Sequence, residues 1–183
     1  MHLKILGGGQ EIGANAYLLE WHGRQILLDA GMNPVEQSYH SLIPADEIGS
    51  LDAVIISHGH FDHIGSLPLA YKLCSPRHVF MPEEGFDIVR RMLWNTANVI
   101  TKLDAQSRDY TFARAYERLN LNALFEQVSY DTKAYDQEFQ VTPEITGRFF
   151  NAGHVLGSAG IILSDGEKSV VYTGDISVNP HGI

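Results

Sequence analysis

His58, His60, Asp62 and His63 crowd into the stretch ISHGHFDHIG, directly after the apolar run AVII. Imidazoles gain nothing as packing groups, because each buried ring nitrogen needs a partner. A metal ion is a partner that several of them can share. His58 and His60 are two positions apart, so in extended chain they face one side and can grip one ion. Asp62 and His63 begin the turn into the next element, where they can aim at a neighbouring ion. Imidazole and carboxylate without thiolate suit a hydrolytic zinc or manganese site better than a structural zinc finger. The plain alternative is a histidine-rich surface loop, which a shuffled chain of this composition would seldom arrange as H-x-H-x-D-H.

Four strand-like runs end in a residue able to bind or orient a metal. RQILLD ends at Asp29, AVIISH at His58, RFFNAGH at His154 and SVVYTGD at Asp175. Ligands commonly bind beyond the carboxyl ends of strands, where loops carry chemistry on a rigid base. One aspartate after a strand is usually a turn or cap residue. Four such endings, with the histidine cluster at one of them, point to a shared site. Gly59 and Gly65 relieve crowding at the bend, and Gly153, Gly157 and Gly174 allow close backbone approach beside His154 and Asp175.

The elements that must position these residues are strands at both ends of the chain with helices between them. HLKIL, NAYLLEW, RQILLDA, AVIIS and HVFMP read as strands, and so do EITGRFFNA, AGIILSD and KSVVYTGD. In GSLPLAYKLCSP, Leu67, Ala70, Tyr71 and Cys74 recur at helical spacing, with Pro68 in the first turn. FDIVRRMLWNTANVITKL and TFARAYERLNLNALFEQV read as two helices with mixed-charge, solvated faces rather than a nucleic-acid patch. The pattern predicts an α/β sandwich. Trp21 and Trp94 are expected in the core. His2, His22, His40 and His78 fall outside the motifs. GGGQEIG matches neither phosphate-loop pattern and reads as a tight turn that brings backbone near the site.

With 183 residues, the chain is one ordinary domain or part of a larger one. Apolar residues at 44% and charged residues at 19% support a packed core and exclude disorder. The net charge of −9 argues against a simple nucleic-acid binder. It leaves a nuclease open, since bound divalent cations would supply positive charge where a phosphate needs it. No apolar run approaches the roughly 18 residues of a membrane span. The start HLKILGGG lacks the features of a signal peptide, and Cys74 is the single cysteine, so the expectation is a cytoplasmic protein.

The H-x-H-x-D-H motif at His58, His60, Asp62 and His63 resembles that of the metallo-β-lactamase superfamily. Asp29, His154 and Asp175 match that family's earlier aspartate, later histidine and later aspartate. The resemblance implies an αββα sandwich holding two divalent ions, zinc by expectation and manganese as the alternative. His58, His60 and His154 would hold one ion, and Asp62 and His63 the other. Asp175 would bridge them, and Asp29 would fix ligand geometry by hydrogen bonds. Asp62 and Asp175 are the carboxylates it places at the reacting centre. GGGQEIGANAYLLE, NAGHVLGSAGIIL and YTGDIS are similar to the β-CASP branch, whose members process nucleic acids.

The activity so implied is hydrolysis of RNA, or of DNA, by an endonuclease or exonuclease that uses a metal-activated water. The rivals are a glyoxalase II-type thioesterase on the same scaffold and an inactive metal-binding module. In the family a further histidine ligand and an inserted module with acid/base residues follow the Asp175 position. Here ISVNPHGI follows, and His181 does not match that ligand. Residues 1–183 are therefore expected to be the amino-terminal part of a metallo-β-lactamase domain, without the β-CASP module. Such a part is expected to have little nuclease activity alone and an apolar face open to self-association.

Overall fold

The computed structural model describes residues 1–10, 12–33, 43–44, 48–103 and 110–178. Strand β1 (His2–Gly7) pairs antiparallel with β2 (Ala16–Trp21), which turns back into β3 (Arg24–Leu28). From there the sheet becomes parallel, adding β4 (Ala53–Ile55), β5 (His78–Pro82) and the short β6 (Thr132–Lys133) in sequence order. Parallel neighbours need crossovers. The helices α1 (Phe61–Ile64) and α2 (Leu67–Cys74) connect β4 to β5. The helices α3 (Phe86–Leu103), α4 (Tyr110–Ala115) and α5 (Arg118–Asp131) connect β5 to β6. A second, antiparallel sheet is made of β7 (Glu138–Thr142), β8 (Ile145–Asn151), β9 (Ala159–Ser164) and β10 (Ser169–Tyr172), in the order β10-β9-β8-β7.

Side-chain alternation divides the core in two. Leu18, Leu27, Val54, Ile56 and Val79 pack against Leu67, Ala70, Leu93 and Leu124 of the helices. Their neighbours Leu19, Trp21, Ile26, Leu28, Ile55 and Phe80 meet Phe139, Phe149, Ile161 and Leu163 of the second sheet. AVI of β4 is apolar throughout because the strand is buried on both faces. The described residues thus form three layers, helices on a six-stranded sheet on a four-stranded one. Trp21 is core as expected, and the half-buried Trp94 packs on Phe125.

One expected helix is broken. The spacing predicts a single helix through TFARAYERLNLNALFEQV, but α4 stops at Ala115 and α5 starts at Arg118. Tyr116 is buried in the gap and its hydroxyl donates to the Gly65 carbonyl at 2.7 Å. A bond to a residue so distant in sequence outweighs local helix propensity. Two strands went unforeseen. β6 is too short to show a period, and β7 alternates buried Phe139 and Val141 with exposed Glu138 and Gln140 over only five residues.

At the other edge, Leu3 and Ile5 pair with Leu19 and Tyr17 and so share their side of the sheet. β10 already lies over β2, with Tyr17 and Tyr172 ring centroids 5.6 Å apart. Among the described residues no strand covers Leu3 and Ile5, which are 57% and 58% exposed.

Candidate metal centre

Asp29 follows β3 in a left-handed conformation (φ +56°) and is fully buried. Its Oδ1 accepts the backbone N–H of Ser57 at 2.7 Å. Its Oδ2 accepts from the Ser57 hydroxyl at 2.7 Å, from His63 Nδ1 at 2.6 Å and from the Tyr172 hydroxyl at 2.6 Å. A buried carboxylate is tolerable when donors surround it in this way.

The same bonds set the tautomers of two histidines. Ser57 gives its only hydroxyl hydrogen to Asp29, so His58 Nδ1–H donates to Ser57 Oγ, at 3.0 Å. With His63 Nδ1–H given to Asp29, the Nε2 atoms carry lone pairs whenever the rings are neutral, as metal binding requires. Burial, reinforced by the nearby His63 ring, lowers the pKa of His58 to about 3 and keeps it neutral. Burial also opposes charge on His63. There the Asp29 hydrogen bond and the charges of Asp29, Asp62 and Asp175 prevail, and its pKa is raised.

Four strand ends converge above this base. His58 Nε2 lies 3.0 Å from His60 Nδ1, and His60 Nδ1 lies 3.3 Å from His154 Nε2. One ligand atom from each of His58, His60, His154 and Asp175 lies within 4.8 Å of the others. Asp175 divides its oxygens, with Oδ2 3.4 Å from His154 Nε2 and Oδ1 3.4 Å from His63 Nε2. Asp62 Oδ2 approaches that same His63 nitrogen at 3.8 Å. His60 Nδ1 faces two ring nitrogens and can donate to only one, so these imidazoles cannot satisfy one another. A cation satisfies them all, and the donor set suits a divalent ion.

Every residue expected at the site is therefore brought to it: His58, His60, His154 and Asp175 on one side, Asp62 and His63 on the other, Asp29 beneath. Elsewhere, His22 pairs with Asp165 and His78 with Asp131 on the surface. His40 and His181 lie outside the described residues. Sequence reasoning missed Ser57, Tyr172 and Asn15, whose Nδ2 lies 3.0 Å from His63 Nε2. Ser57 and Tyr172 carry one visible signal, polar groups closing the apolar runs AVII and VV.

The profile of the metallo-beta-lactamase superfamily matches residues 9–182. The chain belongs to that superfamily. Membership implies divalent-metal binding, for which the histidine and aspartate cluster supplies the donors. Endoribonuclease ysh1 of Aspergillus fumigatus is 29% identical over 175 residues, covering 94% of this chain and 19% of that protein. The RNase J-like protein of Methanocaldococcus jannaschii is 33% identical, with 96% of this chain and 36% of that one covered. Cleavage and polyadenylation specificity factor 73 of Drosophila melanogaster is 34% identical, with 97% and 25% covered. These are relatives of the β-CASP type that the flanking motifs resemble, and the chain spans 19% to 36% of their length. An archaeal superfamily protein from Sulfolobus tokodaii shares the fold, with a TM-score of 0.54 at 19% identity over 88% of this chain and 60% of that one. Among the described residues no helix is long and apolar enough to cross a membrane.

Proposed function

We propose that this chain carries the dinuclear metal centre of an RNA-processing phosphodiesterase. The observation that carries the reading is the divided carboxylate of Asp175, one oxygen toward His154 and the other toward His63. His58, His60 and His154 would hold one ion, Asp62 and His63 the second, and Asp175 both. Zinc suits so many imidazoles, with manganese the alternative. When bound, such ions activate water as a nucleophile and stabilise charge on a phosphoryl group. The chain's own part is to turn the Nε2 atoms of His58 and His63 toward the ions through Asp29 and Ser57, and to present the Asp62 and Asp175 carboxylates beside His63 Nε2. RNA is the favoured substrate because the relatives include endoribonucleases and an RNase J-like protein. Buried, unpaired Cys74 suits a reducing cytoplasm.

The test sets labelled RNA, the matching DNA and a glutathione thioester side by side, with zinc or manganese and with a chelator. Chelator-sensitive RNA cleavage, however slow, that is lost in His58→Ala/His60→Ala supports the reading. Thioester turnover without RNA cleavage overturns it. Metal analysis after dialysis is expected to give close to two ions per chain, and at most one in the double variant. Self-association through the open face of β1 is also expected. Leu3→Thr/Ile5→Thr keeps strand propensity and is expected to weaken it about tenfold or more in sedimentation equilibrium.

A further inference from the structure

Asn15 is held more firmly than a loop asparagine needs to be. Gly13 (φ +95°) and Ala14 (φ +54°) are consecutive left-handed residues, and Ala14 is buried. An alanine persists in that conformation only where its surroundings impose it. What they impose is the position of the next residue. Asn15 N–H donates to the Asp62 carbonyl at 2.8 Å, and its own carbonyl accepts from Gly31 N–H at 2.8 Å. The Tyr17 hydroxyl donates to Asn15 Oδ1 at 3.1 Å, which turns Nδ2 toward His63.

His63 Nδ1 is committed to Asp29, so in the neutral ring Nε2 is the acceptor of the Asn15 N–H, at 3.0 Å. That same nitrogen faces Asp175 and Asp62, and on the reading above it is a ligand atom. An imidazole nitrogen has one lone pair and cannot serve an amide and a cation together. A cation that takes it releases an oriented, half-buried amide donor at the reacting centre, and such a donor requires an acceptor.

We propose that Asn15 is a relay donor. Its carboxamide holds His63 Nε2 in the metal-free protein, and passes to a phosphoryl oxygen of the substrate when a cation occupies that nitrogen. This rests on the dinuclear phosphodiesterase reading. Preorganised donors of this kind act where charge develops on the reacting group. The relay also has a sign that a merely structural role lacks, because Asn15 opposes metal binding while it favours phosphate binding.

The experiment is calorimetry at pH 8 on the 183-residue chain. Zinc is titrated first, then adenosine 5′-monophosphate into the zinc-loaded protein. Asn15→Ala is expected to bind the weaker zinc about 2–10-fold tighter, the equivalent of one lost hydrogen bond, and the nucleotide about 5-fold more weakly or worse. Tyr17→Phe keeps the amide but frees its oxygen, and is expected to shift both in the same directions by less. It also serves should Asn15→Ala not fold. Weaker zinc binding, or unchanged nucleotide binding, in Asn15→Ala overturns the relay alone. A wild-type chain that takes up only one zinc overturns the dinuclear reading and the relay with it.

Discussion

Asp29→Ala is expected to lower the affinity for metal at both positions by about 100-fold or more, and to destabilise the metal-free chain by about 3–5 kcal/mol. The size follows from how much one buried carboxylate does. It accepts from Ser57 N–H, the Ser57 hydroxyl, His63 Nδ1 and the Tyr172 hydroxyl, all at 2.6–2.7 Å. Removing it leaves these donors buried without an acceptor, and each such loss costs about 1–3 kcal/mol before relaxation. It also frees His58 and His63 to place a proton on Nε2, the nitrogen each turns toward the cluster. Asp29→Asn separates the two effects. The carboxamide fills the same space and tolerates the left-handed backbone, yet it accepts at one oxygen only. It is expected to fold with a smaller loss of stability while metal affinity falls almost as far. Urea unfolding with a chelator and zinc titration without one check both halves. Wild-type zinc affinity in Asp29→Ala would show that the tautomers are set by something else.

The contrast between Asp29 and its donors shows what is legible in one sequence. His58, His60, Asp62 and His63 announce themselves because a strand and a tight bend fix their spacing locally. Asp29, His154 and Asp175 are legible because each closes an apolar run. Tyr172 reaches Asp29 across 143 positions, and His63 bonds Asn15 across 48. No period or spacing records such contacts, which exist only once β10 has been laid over the first sheet and the loop before β2 has been brought against α1. The same reason hid the break before α5. Tyr116 continues the helical pattern of its own segment, and its bond to Gly65, 51 positions away, lies where that helix ends. The layers were legible for the opposite reason, since burial on one face or two writes itself into the longer strands, such as β2, β3 and β9.

Gly174 tests how the two sheets align the site. Its φ is +52°, and a Cβ there would sit 2.6 Å from Ser57 Cβ and 2.7 Å from Ser57 Oγ. Neither backbone can retreat easily. Ser57 O accepts from Ala159 N–H at 2.9 Å, which ties the end of β4 to the second sheet, and Ala152 O accepts from Ser177 N–H at 2.9 Å, which ties the segment after β10 to the end of β8. An added methyl must therefore push the Ser57 side chain, the link between Asp29 and His58. Gly174→Ala is expected to cost about 2–4 kcal/mol and to weaken zinc binding by about 10–100-fold. Gly166 supplies the control, because its φ of +89° is also left-handed but nothing lies within 4 Å of its Cβ position. Gly166→Ala carries the backbone cost alone, about 1–2 kcal/mol, and should leave zinc binding unchanged. Equal losses of zinc affinity in the two variants would mean that contact at Ser57 does not govern the site. A loss confined to Gly174→Ala would mean that the close approach of Gly174 to Ser57 helps the second sheet to set the ligands.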